Sequence, residues 1–90
     1  MSTLDEERKK INEIDEQMAH LFVLRFKACK NIAAWKKESG KAIYDPDREK
    51  EVIKKNLEYI DEEDLKKYYE RFQQYMMDLS KEYQKEVNGG

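Results

Sequence analysis

The sequence predicts an all-α fold of three helices, of which the first is much longer than the other two. Apolar residues recur at steps of three and four along most of the chain, which is the spacing of helices with one buried face. The 90 residues include only one proline and three glycines, so long helices can form almost everywhere. The alternation of apolar and polar residues that is typical of strands is missing. We expect one domain, residues 1–90, without a β-sheet.

Composition argues against several classes of protein. Lysine and arginine number 18 and aspartate and glutamate 20, a net charge of -2, whereas nucleic-acid binding normally needs a basic surplus. No apolar run approaches the roughly 18 residues that a membrane span requires. The first residues lack a signal-peptide pattern, and Cys29 has no second cysteine for an intrachain disulfide. We therefore expect a soluble, cytoplasmic protein that binds neither nucleic acid nor membranes.

The first helix has sequence signals at both ends. Thr3 and Glu6 form a capping box, in which each side chain satisfies a free backbone N–H group of the first turn. Gly40 suits the C-cap, so the helix is predicted from Leu4 to Ser39. Its apolar face resembles a coiled-coil seam that is interrupted by one charge, and it consists of Ile11, Ile14, Met18, Leu21, Arg25, Ala28, Ile32 and Trp35.

The length of this helix predicts a partner chain. A compact domain of this size has a radius of gyration of about 12 Å, whereas the first helix is about 54 Å long. The rest of the chain is too short to cover the apolar seam, and small domains often need oligomerisation for stability. We therefore expect a homodimer.

Two shorter helices follow. Asp45 suits the N-cap of the second helix and Pro46 its first position, where a missing N–H costs nothing. The third helix is predicted to start near Asp61, with further acids at the positive end of its dipole. Residues 88–90 are expected to fray. The third helix carries an apolar stripe of Leu65, Tyr68, Tyr69, Phe72, Tyr75, Met76, Leu79, Tyr83 and Val87.

Three basic residues of the first helix are candidates for binding an anion. Arg25 lies within the apolar seam, where it should meet a bound anion or a carboxylate of the partner chain, unless it reaches the edge of the interface. Lys36 lies about 16 Å along the axis and about 20° around it, so the two side chains can flank one small anion. Arg8 lies about 25 Å from Arg25 and about 100° around the helix, so it can reach the same site only from a partner chain.

The second and third helices carry further polar residues that are candidates for a binding site, although each one alone is a weak signal. Asp45, Arg48 and Glu49 occupy the first turn of the second helix, where free N–H groups are exposed. Ser80 and Gln84 are four residues apart beside the apolar stripe of the third helix, a position at which polar residues often only border a core. His20 and Cys29 belong to no cluster of ligating residues, and we therefore expect neither a metal nor a cofactor.

Two motifs resemble those of the all-helical chorismate mutases. Residues 8–15, Arg-Lys-Lys-Ile-Asn-Glu-Ile-Asp, are similar to that family's R-x-x-I-x-x-I/L-D, and residues 45–49, Asp-Pro-Asp-Arg-Glu, to its D-x-x-R-E. The resemblance covers essentially the whole chain, including the long helix followed by two shorter ones. The positions that resemble the family's active-site series are Arg8, Arg25, Lys36, Asp45, Arg48, Glu49, Ser80 and Gln84.

The resemblance implies an intertwined homodimer in which each site is built by one chain and completed by the first arginine of the other. Arg8 of the partner subunit and Arg25 would bind the two carboxylates of chorismate. Lys36 and Gln84 would donate hydrogen bonds to the ether oxygen. The other positions would hold the ring hydroxyl (Asp45 and Glu49) and complete the polar wall (Arg48 and Ser80).

This reaction suits a chain without a ligand cluster or an activated nucleophile. Chorismate rearranges to prephenate within one molecule, so the enzyme needs only to hold the reactive conformer and to stabilise charge on the ether oxygen. Two alternatives remain open at this point. One is an isochorismate-pyruvate lyase of the same fold, although the lyases lack acids that match Asp45 and Glu49. The other is a helical dimerisation or regulatory module without catalytic activity.

Overall fold

A computed structural model describes residues 3–89, and within them it contains three helices and no strand. They are α1 (Leu4–Ser39), α2 (Pro46–Leu57) and α3 (Glu63–Val87). The predicted all-α fold with a long first helix is therefore confirmed. None of the helices in this range is both long and apolar enough to cross a membrane.

Both predicted ends of α1 are confirmed. The Thr3 hydroxyl accepts a hydrogen bond from the Glu6 N–H at 3.1 Å. At the other end Gly40 adopts φ 69°, and the Lys41 N–H donates to the Lys36 carbonyl at 2.9 Å. Because a left-handed residue reverses the chain at this point, α1 stops at Ser39 and the connection turns back towards α3.

The two shorter helices begin differently. In α2 the Asp45 carboxylate accepts a hydrogen bond from the Arg48 N–H at 3.1 Å, and Pro46 occupies the first turn, as predicted. In α3 the N-cap is Glu62, so the helix begins at Glu63, two residues after the predicted start near Asp61. The reason is that residues 58–60 still donate backbone hydrogen bonds to the last turn of α2, which leaves only residues 61–62 as the connection.

The helix α3 is central and packs against both α1 and α2. Few side chains are buried among residues 3–89, and the apolar ones are Cys29 and Ala33 of α1, Ile53 of α2 and Met77 of α3. Three buried polar residues also belong to α3, namely Gln73, Ser80 and Gln84. Three of the four buried positions of α3 are therefore polar, so the apolar core of this chain is small.

The long helix extends beyond the rest of the chain. The radius of gyration is 16.3 Å and the longest dimension is 55 Å, whereas a compact chain of this length would have a radius of about 12 Å. The α1 face that contacts α3 carries Cys29 and Ala33, so most of the predicted seam lies beside this face and stays open to solvent. The exposed seam residues include Ile11, Ile14, Met18, Leu21, Ile32 and Trp35.

The end of the chain is held more firmly than expected. The Asn88 side-chain amide donates to the Ala33 carbonyl at 3.0 Å, and the Asn88 carbonyl accepts from the Lys37 ammonium at 3.4 Å. The predicted fraying is therefore wrong for Asn88, because its amide bonds back to α1. Gly90, the last residue of the predicted frayed end, lies outside the described residues.

Candidate active site

A pocket of about 430 Å³ lies between α1, the start of α2 and the C-terminal half of α3. It has the size of a site for a small organic ligand. The fold brings residues from all three helices to its wall, although they are far apart in sequence. The sequence candidates that line it are Arg25, Lys36, Asp45, Arg48, Glu49, Ser80 and Gln84.

Arg25 presents a positive charge to this pocket without a carboxylate partner. Its guanidinium lies 3.8 Å from the Cys29 sulfur and 3.9 Å from the Met77 sulfur, and both are weak acceptors. Within residues 3–89 no acidic side chain lies within ion-pair distance of it. The half-buried guanidinium therefore keeps most of its five N–H donors free for an anion.

Lys36 is the second such cation. Its side chain is half-buried, and the ammonium donates to the Ile43 carbonyl at 2.8 Å. This bond joins the last turn of α1 to the segment that leads into α2. An ammonium has three donors, so two remain available to a ligand. As for Arg25, no carboxylate within residues 3–89 neutralises it.

The start of α2 contributes acids and a further cation. Asp45 is exposed and uses one carboxylate oxygen to cap the helix. The Arg48 guanidinium lies 3.5 Å from the Glu51 carboxylate on the exposed side of α2. Glu49 is mostly buried, with 14% of its side chain exposed, and it pairs with Lys81 of α3 at 3.1 Å. The part of the wall that the start of α2 contributes is thus acidic but partly neutralised.

A short chain of hydrogen bonds joins α3 to α1 at the floor of the pocket. The Gln84 amide donates to the Ser80 hydroxyl at 3.0 Å, and this hydroxyl donates to the Cys29 sulfur at 3.0 Å. The Gln84 amide oxygen is buried and has no partner among the described residues. Buried amides normally satisfy both ends, so this oxygen is an unused acceptor on a residue that lines the pocket.

Arg8 is the one candidate that the structure does not bring to the pocket. It lies in the second turn of α1, where it is exposed, and it does not line the cavity. The helical geometry gives the reason, because α1 is straight enough to hold its first turns far from Arg25. Within one chain, the site is therefore built by seven of the eight positions that resemble the family.

The sequence analysis missed several residues of the wall. Cys29 follows Arg25 by one helical turn and was not among the site candidates, yet it accepts hydrogen bonds inside the pocket. Lys81 also lines the cavity. Its position beside Ser80 gave no signal, because its partner Glu49 belongs to another helix. Further lining residues are Ile32, Ile43, Val52 and Met77.

The pocket can bind an anion and donate hydrogen bonds to it. Two of its cations, Arg25 and Lys36, belong to α1, and the acids at the start of α2 can accept a hydrogen bond from a hydroxyl group. Within residues 3–89 no three side chains of the ligating types lie close enough together to hold a metal ion.

Comparison with known proteins gives one match. A search of curated proteins and a search of solved structures each returned no significant similarity. The sequence profile of chorismate mutase type II matches residues 7–85, a range that contains all eight positions of the resemblance and the three helices almost completely. The chain therefore belongs to the chorismate mutase type II family.

Proposed function

We propose that this protein is a chorismate mutase that rearranges chorismate to prephenate, in the cytoplasm, as a step of aromatic amino-acid synthesis. The observation that carries the proposal is the pair of cations, Arg25 and Lys36, that face the pocket without a carboxylate partner in the described chain. Chorismate is a dicarboxylate with a ring hydroxyl. Its charges and its hydroxyl match the cationic wall on α1 and the acidic wall on α2.

Binding would hold the substrate in its reactive conformer. Arg25 pairs with one carboxylate, because its guanidinium has a planar set of donors that fits a carboxylate in two places. Asp45 and Glu49 offer carboxylate oxygens at the start of α2, one of which accepts the hydrogen bond of the ring hydroxyl. Fixing both ends of the substrate brings the side chain over the ring, and such positioning can lower the barrier by several kcal/mol, up to about 7–11 kcal/mol in the best cases.

The reaction itself breaks one C–O bond and forms one C–C bond within the substrate. Negative charge grows on the ether oxygen as the C–O bond breaks. Lys36 has two free donors for this oxygen, and the Gln84 amide has a second N–H beyond the one that Ser80 accepts. Donors that are already in place stabilise this charge without reorganisation, which is the main electrostatic contribution to catalysis.

The proposal includes a homodimer in which Arg8 of the partner subunit completes each site. Three observations support it: the extended shape of the chain, the uncovered apolar seam of α1 and a largely apolar groove of about 710 Å³ between α1 and α3. A second α1 helix has the apolar seam that would cover this groove. The exposed Arg8 lies on the same helix, and it can approach the second carboxylate of chorismate only from another chain.

The direct test is the loss of chorismate absorbance with purified protein, with the product identified by chromatography. Conversion to prephenate supports the proposal. Release of pyruvate from isochorismate, without turnover of chorismate, would instead assign the protein to the lyases. Survival of both compounds at micromolar enzyme would contradict an enzymatic function and favour a dimerisation module.

The two unpaired cations provide a test of the site. We expect Arg25→Ala and Lys36→Ala each to lower kcat/KM by a factor on the order of 100 to 1,000, because each removes charged donors from the pocket. Circular dichroism should show unchanged helicity. Lys66→Ala is the matched control, because Lys66 pairs with Glu63 within α3 and does not line the pocket. Normal turnover in either pocket variant would remove that residue from the site.

A further inference from the structure

Lys81 lies in the pocket wall but belongs to none of the positions that the sequence motifs mark. It follows Ser80 on α3, and only 22% of its side chain is exposed. Its ammonium contacts three groups on three different segments: the Glu49 carboxylate of α2, the Asp78 carboxylate of α3 and the Tyr44 ring in the connection between α1 and α2. A lysine so placed links the segments that carry both acids of the site.

The contact with Glu49 fixes one of these acids directly. The Lys81 ammonium lies 3.1 Å from one Glu49 oxygen, and the Gln74 amide lies 3.4 Å from the other. Both oxygens of Glu49 are therefore held from α3. Burial lowers the pKa of Lys81, but hydrogen bonds and charge from Glu49 and Asp78 outweigh it and raise the pKa above its ordinary value of 10.5. The ammonium consequently keeps its charge throughout the neutral range.

The contact with Tyr44 acts on the second acid. The Lys81 ammonium lies 4.4 Å from the centre of the Tyr44 ring, a distance typical of a cation–π interaction. Tyr44 directly precedes Asp45, whose carboxylate caps α2 and lines the pocket. On the other side of Tyr44, the Ile43 carbonyl is bound by Lys36. The segment that carries Asp45 is thus held by two lysines, one from α1 and one from α3.

The partners of Lys81 argue against a role as a third anion-binding cation. An ammonium has three N–H donors, and two of them point to Glu49 and Asp78. The ring of Tyr44 covers another side of the charge. Arg25 and Lys36 differ in this respect, because their charges meet no carboxylate in the described residues. The charge of Lys81 is therefore neutralised by groups of the protein and is not available to a ligand.

We propose that Lys81 is a positioning residue, which holds Glu49 directly and Asp45 through Tyr44 in the arrangement that recognises the ring hydroxyl of the substrate. This inference rests on the proposed function. It assigns Lys81 to recognition of the hydroxyl and not to binding of the substrate carboxylates.

The test measures kcat/KM for two substrates, chorismate and an analogue with hydrogen in place of the ring hydroxyl. The variants are Lys81→Met, which keeps much of the side-chain length without the charge, and Lys81→Arg, which keeps the charge. Lys66→Met is the control, since it removes a lysine–carboxylate pair of the same helix away from the pocket. Circular dichroism and thermal melting verify that each variant is folded.

We expect Lys81→Met to lower kcat/KM for chorismate on the order of tenfold, which is less than the roughly 100-fold that a 1 Å misplacement can cost, because the Gln74 amide still holds Glu49. The analogue lacks the recognised group, so its kcat/KM should stay unchanged and the preference for chorismate should fall by the same factor. Lys81→Arg should restore most of the preference, and Lys66→Met should match the wild type.

The outcomes separate this inference from the proposed function. If the wild type does not convert chorismate, both are overturned. If it does, the inference alone is overturned by a Lys81→Met variant with wild-type kinetics, by an equal loss for both substrates, or by a wild type that does not distinguish them. An equal loss for both substrates would indicate that Lys81 only stabilises the fold of the pocket.

Discussion

At the scale of the single residue, the Gln84 amide has one hydrogen-bonded end and, within residues 3–89, one free end. Its N–H bonds the Ser80 hydroxyl, while its buried oxygen has no partner in the described chain. Rotation of the amide by half a turn would let Ser80 donate to the oxygen and would turn both N–H groups away from Ser80. Cys29 makes this exchange possible, because a thiol can accept from the Ser80 hydroxyl or donate to it.

Replacing the Gln84 amide with a carboxyl group should make the activity depend on pH. In Gln84→Glu, the introduced carboxyl group can donate to the ether oxygen only while it is protonated. We therefore expect kcat/KM to fall as the pH rises through the pKa of this group, whereas the wild type should vary little between about pH 5 and pH 9, because an amide has no proton to lose in this range. The measurement is kcat/KM for chorismate across this range.

Ser80→Ala serves as the control for Gln84→Glu. It removes the partner of the amide without adding a titrating group, so any loss of activity should be equal at all pH values. A Gln84→Glu profile that runs parallel to the wild type would show that Gln84 does not donate to the substrate.

At the scale of the element, the end of α1 decides where two site residues lie. Gly40 stops the helix in the left-handed region, with φ 69°. The last turn then presents Lys36 to the Ile43 carbonyl, and the chain reaches Asp45 within five residues of Gly40. A helix that continued past Ser39 would carry this segment away from α3, and with it the cap of α2.

Gly40→Ala should therefore lower the free energy of unfolding by about 1–2 kcal/mol. In the left-handed conformation the Cβ of an L-residue lies too close to the following carbonyl oxygen. Beyond the adjoining residues of the chain, a Cβ at this position meets no atom within 4 Å, so the cost comes from the backbone alone. Urea unfolding measures it. Gly40→Asn should cost less, since asparagine tolerates this region. Equal stability of the alanine variant and the wild type would contradict the assigned role of Gly40.

At the scale of the whole molecule, a single chain leaves a long apolar surface uncovered. The helix α1 determines a longest dimension of 55 Å, and much of its apolar seam is exposed. Arg8 lies apart from the pocket that holds the other seven candidates. A symmetric pair of chains would bury the seam and supply Arg8 to each site, and both requirements are met by one arrangement.

Mixing two inactive variants tests the shared site. Arg8→Ala and Arg25→Ala should each be nearly inactive alone. After the two chains are unfolded and refolded together, random pairing gives mixed dimers with one intact site, so about a quarter of the wild-type activity should return. The activity arises because the Arg8→Ala chain keeps Arg25 and receives Arg8 from its partner.

A mixture of Arg25→Ala with Lys36→Ala is the matched control. Both residues line the pocket of the same chain, so no mixed dimer contains an intact site and no activity should return. If Arg8 acted within its own chain, the first mixture would also stay inactive. Sedimentation of the wild type gives the oligomeric state independently.

The sequence by itself determined the helices and most of their ends. Thr3, Gly40 and the Asp45–Pro46 pair each act within one turn of the backbone, so their effects could be predicted without knowledge of the fold. The same holds for Arg25 and Lys36, since helical geometry alone places both on one face. The start of α3 was predicted two residues too early, because Glu62 makes no side-chain cap that the sequence could signal.

Only the tertiary structure decided which side chains meet across the pocket. The bond between Ser80 and Cys29 spans 51 residues, and that between Gln74 and Glu49 spans 25. Such contacts depend on how far α3 is rotated about its axis against α1 and α2, and no local pattern specifies this rotation. The role of Lys81 could not be predicted for the same reason. Its contacts with Glu49 and Tyr44 form only once α3 packs against α2 and the segment that precedes it.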